Sequence, residues 1–545
     1  MLKIKSILVS MLAVAALASC SDDNEPTRQS SDFDGAYMSL RIALPTQANT
    51  RVAGTSAEKD PADAAETAIN SLYVVTFDTN KNLVHHARMN AVTVLSPTEL
   101  TTPTGNGYLG TKTAILVSAS TKYLLVVANP GKELAAQLTS SVTGTSFDDI
   151  NKAIQVNLTT GDKPEKLVGE IMDATNGFTM INSGTYNTTG NNQWDEGCLL
   201  DVTNNIAVVD GAVNKTEAEA VAEAEGNRAT LKIERLAAKV EVGVKAKVDL
   251  EILPDGADFE FEGWTLDYYN STFYPYAEKA TTKASHTSSF YGNNFYTKDP
   301  NFEGGNLMTG IEKNELVNRE PQVTWKDATV SGSPGIEYCI ENTMAADDQR
   351  FGAATRVVIK GLYAPKNVTL GDDWFSFAGI NYKDLDQLKA AYAAAATATP
   401  QSPAEVLFVE ACDNFLDAVR TASSATISDF ASLSQANLDA ISDGGEIVKI
   451  DKCIRWYQKS LNYYYYEIRH DNTDDVYMYF GKYGVVRNNW YSLTLGKVNG
   501  AGTPWYPDEG PEDPDPTDPI DEKPGYLAFD IEVAPWVYWT TDFEI

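Results

Sequence analysis

Apolar and polar residues alternate along most of this chain. Alternation over four to eight residues marks a half-buried β-strand, because successive side chains point to opposite faces. Seven stretches show it: 36–45 (AYMSLRIALP), 69–78 (INSLYVVTFD), 114–120 (AILVSAS), 123–129 (YLLVVAN), 231–244 (LKIERLAAKVEVGV), 355–364 (TRVVIKGLYA) and 490–498 (WYSLTLGKV). Gly, Asn and Pro clusters separate many of them. The pattern predicts an all-β chain built of β-sandwiches, with Greek-key wiring the usual solution. A polar, Ala/Glu-rich stretch at 214–227 precedes LKIERLAAKVEV, so a boundary between two sandwiches is expected near residue 228.

One region departs from that period. Between Lys383 and Ser442 the chain turns Ala-rich. There Leu385, Leu388, Tyr392 and Ala395 recur at helical spacing, as do Phe408, Cys412, Phe415 and Val419, with Pro400 and Pro403 between the two runs. A helical hairpin or short bundle inserted in the second sandwich (383–442) is the expectation, either as packed decoration or as a partner surface.

Alternation returns at the C-terminus in YLAFDIEVA. Leu527, Phe529, Ile531 and Val533 fall on one face, with Ala528, Asp530, Glu532 and Ala534 on the other. Pro535 cannot donate to a ladder and is expected to break the strand before Trp536. Ahead of this strand, residues 507–524 hold six prolines and eight acidic residues. Extended as polyproline II, that tether would reach on the order of 50 Å. A strand completing its own domain needs no such reach.

At 545 residues, two or three domains are the natural division. The formal charge of −32 argues against nucleic acid or anionic lipid as a partner through a general basic field. The N-terminus has Lys3 and Lys5, then an apolar run from Ile7 to Leu17 that is too short for a stable membrane span. Leu17-Ala18-Ser19-Cys20 matches the bacterial lipoprotein box, which implies cleavage before Cys20 and acylation of its thiol. The SDDNEP that follows is similar to the acidic surface-export tag of Bacteroidota lipoproteins.

Motifs for chemistry are weak. Gly105, Gly107 and Gly110 spell G-x-G-x-x-G, but strand-like sequence follows where a phosphate-binding helix should begin, so a hairpin turn is expected. His85 and His86 are adjacent and, in a strand, cannot chelate one metal together. HDNTDD (470–475) lacks the central Gly and distal Glu of an EF-hand and reads as a solvated turn. Tyr463 to Tyr466 suggest a carbohydrate platform, but alternate tyrosines facing core and solvent account for them without a ligand. Cys198, Cys339, Cys412 and Cys453 form no C-x-x-C pair and leave one disulfide or buried free thiols open. No catalytic site, cofactor or metal is expected.

Four blocks together resemble one family, the fimbrilins of Bacteroidales type V pili, especially the Mfa-type major fimbrium subunit (FimA/Mfa-like). The leader AYMSLRIALPTQANTRVAG is similar to that subunit's first strand and Arg processing site. LKIERLAAKVEV resembles the family's strand at the start of the second domain. Glu341-Asn342-Thr343 with TRVVIKGLYAP, and VVRNNWYSLTL with the acidic linker and FDIEVAPW, are similar to later family segments. The 383–442 insertion has no match in the family pattern.

The resemblance implies two tandem transthyretin-like Greek-key sandwiches, a signal peptide (1–20) and a propeptide with a removable first strand (21–51). The sandwiches would span 52–228 and 229–506, followed by a linker (507–525) and a donor strand (526–545). An Arg-specific protease would cut between Arg51 and Val52; Arg28 and Arg41 are poorer candidates, lying in the lipid-proximal spacer and inside a strand. The slot left by the first strand would take Leu527, Phe529, Ile531, Val533, Pro535 and Trp536 of a neighbour. Implied partners are further copies of the chain, accessory anchor and tip subunits, and the protease. Implied location is a surface fimbrium, lipid-anchored at the outer membrane as the precursor, supporting adhesion and biofilm formation. The competing reading is a surface glycan-binding lipoprotein, which needs neither a processing Arg nor a tethered strand.

Overall fold

The computed structural model describes residues 35–44, 64–102, 108–156, 171–173, 177–183, 186–187, 193–194, 199–209, 215–279, 296–302, 310–314, 316–317, 320–321, 325–327, 335–441, 450, 452–471, 476–508, 510–511, 513–522 and 527–535. Strands dominate, and two hydrophobic cores divide them. In the N-terminal unit a sheet runs in the order Thr93–Leu95, Leu72–Phe77, Tyr123–Ala128, Met180–Asn182, Ala229–Arg235, Leu40–Ala43, Tyr108–Gly110. A second sheet sets Gly35–Met38 between Ala207–Val208 and Ile115–Ser118. Their inner faces share one core that includes Met38, Leu40, Ile42, Val75, Leu125, Val127 and Ile233.

In the C-terminal unit, Asn489–Val498 lies beside Ala237–Val244, which pairs in turn with Ile336–Ile340. Facing them is the sheet Asp258–Asp267, Arg356–Ala364, Leu461–Glu467. Val240, Val242, Trp264, Val357, Ile359, Tyr464, Leu493 and Leu495 fill the space between the two.

The boundary falls later than residue 228. Ala229–Arg235 pairs with Leu40–Ala43 and with Met180–Asn182, and its inner residues belong to the N-terminal core. The chain changes unit at Leu236, and Ala237–Val244 opens the second. The alternation changes phase there, from Leu231 and Ile233 at odd positions to Ala238, Val240 and Val242 at even ones, and Glu234-Arg235 followed by Leu236-Ala237-Ala238 marks the switch in the sequence.

The Ala-rich segment is helical, with helices at Leu385–Thr397, Pro403–Ser423 and Gln435–Asp439. Asp384 and Ser402 cap the first two, accepting from Gln387 N–H and Glu405 N–H, and Pro403 opens the second helix, where a missing N–H costs nothing. Leu388, Phe408, Cys412, Phe415 and Val419 pack with Phe375 and Trp456 in a core of their own. Cys339, Cys412 and Cys453 are free and buried, while Cys198 lies outside the described residues.

The acidic linker is where structure and expectation differ most. The described residues between 503 and 522 lie as a strap along the edge and outer face of the Leu461–Glu467 sheet instead of extending away. Thr503 and Tyr463 exchange backbone hydrogen bonds of 3.0 and 2.8 Å. Gly502 permits this approach, since a Cβ there would sit 2.2 Å from the Tyr463 carbonyl oxygen. Trp505 joins the core of the helical insertion, Tyr506 packs with Tyr463 and Val358, and Ile520 packs with Met344, Phe351 and Tyr483.

Two of the strap's acids enter buried ion pairs. Arg356 donates to Asp267 at 2.8 Å and to both oxygens of Asp508. Lys482 donates to both oxygens of Asp521 at 2.9 and 2.8 Å, and Tyr483 OH adds a bond of 2.6 Å. Burial alone would raise the Asp521 carboxyl, but the bonds from Lys482 and Tyr483 bring it below its ordinary value. In the tyrosine string Tyr464 is buried in the sandwich core and Tyr463 beneath the strap, while Tyr465 and Tyr466 are half-buried. His470 and Asp471 are likewise buried, with His470 Nδ1 2.8 Å from Tyr491 OH, so the start of HDNTDD is not a solvated turn.

Candidate functional site

The first strand occupies the middle of the N-terminal unit. Leu40–Ala43 runs parallel to Ala229–Lys232 on one edge and antiparallel to Tyr108–Gly110 on the other. Gly35–Met38 is flanked in the second sheet by Ile115–Ser118 and Ala207–Val208, both antiparallel. The crossover between sheets comes at Ser39. It is held by Ala229 N–H donating to Ser39 O at 2.8 Å, Leu40 N–H to Thr111 Oγ1 at 3.1 Å, and Thr111 N–H to Leu40 O at 3.2 Å. Gly110 thus ends a strand of the slot and starts no helix; Gly105 and Gly107 lie outside the described residues.

Side chains follow the expected alternation. Ala36, Met38, Leu40 and Ile42 are fully buried and Leu44 nearly so, all in the N-terminal core. Burying four large apolar side chains stabilises by roughly 6–12 kcal/mol gross. On the other face, Tyr37 packs against Ala207, Ala220 and Ala224, the last two on the helix Glu217–Gly226. Its hydroxyl donates to Glu217; burial first, then that bond, pushes the phenol up to about 12. Arg41 is exposed and lies 4.2 Å from the centroid of the Tyr108 ring.

Arg228 closes the outer wall and was not singled out from the sequence. Its Nη1 donates to Thr111 O at 2.9 Å and its Nε to Glu225 O at 3.3 Å. A Cβ on Gly110 would sit 2.8 Å from the Leu40 carbonyl oxygen and 2.6 Å from that Nη1, so the slot strand's backbone requires glycine here and the guanidinium uses the space.

The terminal strand Leu527–Pro535 pairs antiparallel with Asn489–Val498, from Val498↔Leu527 to Asn489↔Pro535, with a register shift between Leu495 and Lys497. The far edge of Asn489–Val498 is held by Ala237–Val244. Among the described residues, the terminal strand has this one neighbour. Cys20, Arg51, Val52 and Trp536 lie outside the described residues.

The two units meet at buried charge. Glu66, on the helical turn Ala64–Thr67, accepts from Lys239 at 2.9 Å and Tyr338 OH at 2.6 Å, and Arg235 Nε donates to the Glu66 carbonyl at 2.8 Å. Arg487 donates to Glu341, so two of the blocks that carried the family resemblance touch in the fold. Among the described residues, no group of three His, Cys, Asp or Glu is placed to hold a metal, and no helix is long and apolar enough to cross a membrane.

Two family models match the chain. Residues 36–235 match the major fimbrial subunit protein (FimA), and residues 455–542 match the C-terminal part of the type IV major fimbrial subunit, fimbrillin. A comparison with curated proteins gives no match. Similar solved structures include a candidate cell adhesion protein from Parabacteroides distasonis (11% identity, TM-score 0.42, covering 93% of this chain and 98% of that one). A fimbrilin from Porphyromonas gingivalis (12%, 0.35, 93% and 98%) and the tip fimbrial protein Mfa3 of that species (11%, 0.32, 92% and 100%) are also similar. The first match takes in the whole slot strand and ends at Arg235, where the fold itself changes unit, and the second takes in the strap and the terminal strand. On these two matches, which together span more than half of the chain, the protein belongs to the fimbrilins, the structural subunits of surface fimbriae.

Proposed function

We propose that this fimbrilin polymerises head to tail by strand exchange. The lipidated precursor, acylated at Cys20 and held at the outer membrane, is cut between Arg51 and Val52 by an Arg-specific protease. The strand 36–44 then leaves, and residues 527–535 of a neighbour enter the slot, joining copies of the chain to one another and to accessory anchor and tip subunits. The fibre so formed serves adhesion and biofilm formation.

The observation that carries this reading is the position of the first strand. It lies between paired neighbours on both edges, so its loss leaves a groove with unpaired backbone and an open row of apolar pockets. Such a groove is satisfied by another strand whose apolar residues alternate with the same period. Leu527, Phe529, Ile531 and Val533 have that period. The burial of Tyr463 and Tyr464 supports this reading over a glycan platform on that strand.

Arg51→Ala tests the reading. The expected result is an uncut, lipidated precursor that forms no fibres, read by N-terminal sequencing and electron microscopy. Normal fibres from this variant would refute it.

A further inference from the structure

The first strand and the terminal strand share more than a period. Residues 36–44 read AYMSLRIAL, and residues 525–533 read GYLAFDIEV. Aligned in the same direction, Ala36 meets Gly525, Tyr37 meets Tyr526, Ser39 meets Ala528 and Ile42 meets Ile531. Large apolar residues coincide as Met38 with Leu527, Leu40 with Phe529 and Leu44 with Val533. Phe529 is larger than Leu40, while Gly525 and Val533 are smaller than Ala36 and Leu44.

The slot explains why those positions match. Ala36 and Ser39 are fully buried, and Ser39 Oγ has no hydrogen-bond partner among the described residues, an unmet donor that Ala528 would remove. The Tyr37 ring packs on Ala207, Ala220 and Ala224, and its hydroxyl donates to Glu217, so its departure leaves a pocket walled by three alanines beside a carboxylate. Arg41 is exposed opposite Gly110, over which the Arg228 guanidinium lies, so Asp530 in its place meets a cation. Ala43, nearly covered, has the exposed Lys232 as its register partner, so Glu532 there also lies beside a cation.

We propose that the pocket of Tyr37 is a recognition site for Tyr526 of a second copy, so that residues 525–533 enter in the direction and register of 36–44. This rests on the strand-exchange reading above. A slip of one residue turns the apolar face outward. A slip of two keeps that face inward but puts Asp530, in one direction, or Tyr526, in the other, at the fully buried Ser39 position. Reversing the strand with Ala534 at the Ser39 position puts Trp536 in the pocket. It also puts Pro535, which cannot donate to a ladder, at the Met38 position, which is paired with Ile115.

The test uses full-length protein cut at Arg51. Thr230 is the register partner of Arg41, so Asp530 of the incoming strand is expected opposite Thr230. On mild oxidation, T230C/D530C should give a disulfide-linked ladder on a non-reducing gel. T230C/E532C, which the reversed strand would link, should not. Linking by T230C/D530C that is no stronger than by T230C/E532C overturns the register. Y526A should slow oligomer growth on size-exclusion chromatography by about tenfold or more, as loss of a buried aromatic anchor allows. Y526F, which keeps the ring, should slow it by only about threefold, and W536A should stay near the wild-type rate. These three variants leave the slot itself untouched. Growth of Y526A as fast as W536A overturns the pocket assignment. Growth at the wild-type rate by protein truncated before residue 526 overturns the strand-exchange reading itself.

Discussion

Residues 36–44 lie between neighbours on both edges, whereas the described residues give 527–535 a single neighbour, Asn489–Val498. The two segments share an alternating pattern and differ in how they can be removed. A central strand leaves only if two rows of hydrogen bonds open together and a filled core loses its lining. An edge strand peels from one row. On the proposed function, this difference divides the labour: a covalent cut commits the first strand to leave, and the terminal strand can move without one.

The largest expected effect tests the central placement. Leu40→Asp puts a carboxylate in the N-terminal core and should cost more than about 4 kcal/mol, so the precursor should fail to fold, read by thermal melting. Deletion of 526–545 should leave a soluble, folded monomer with a modestly lowered midpoint. A deletion as damaging as Leu40→Asp would erase the distinction. Next is assembly after cutting: Phe529→Asp should abolish oligomers on size-exclusion chromatography, whereas Ala534→Asp, on the opposite face, should weaken them far less. Equal behaviour of the two would break the comparison at the level of faces.

A third test concerns the strap at the root of the terminal strand. Asp521→Asn strips a buried lysine of its carboxylate and should cost about 3–5 kcal/mol in a chemical melt. Because Asp521 titrates below its unfolded value, its contribution is present above that value, about 3.9, and is lost as pH falls through the lowered one. The smallest effect has the opposite sign. Burial raises Glu467 to about 7, with Arg356 opposing the shift and Asp508 adding to it. The stability linked to its proton is full below the unfolded value near 4.3 and is lost as pH rises through about 7. Glu467→Gln should therefore flatten the fall in melting temperature between pH 5 and 8, and an unchanged slope would refute the assignment.

Much of this architecture was legible. The 36–45 strand, its inward residues and the helical faces of 385–397 and 403–423 follow from periodicity, because each is decided by residues close in sequence. The strap was not legible, because what docks it is distant. Asp508 meets Arg356 from 152 residues away and Asp521 meets Lys482 from 39, and nothing in a Pro-rich acidic run distinguishes those two acids from their solvated neighbours. That Tyr463 meets the strap and not solvent is invisible in the sequence for the same reason. Arg228 was missed because one arginine after a polar helix has no motif, and only Gly110, by its lack of a side chain, hints that something crosses the strand there.

The docked strap also bears on how a fibre carries force. Only five residues separate Asp521 from Leu527, so a donor strand anchored at Asp521 has a leash of roughly 20 Å in place of the 50 Å that a free tether would supply. Neighbouring subunits would then be joined by a short coupling with little slack. Tension along the filament would reach each subunit first at the Lys482–Asp521 pair, loading it in shear across the outer sheet, and would arrive at Arg356–Asp508 only after the first had yielded.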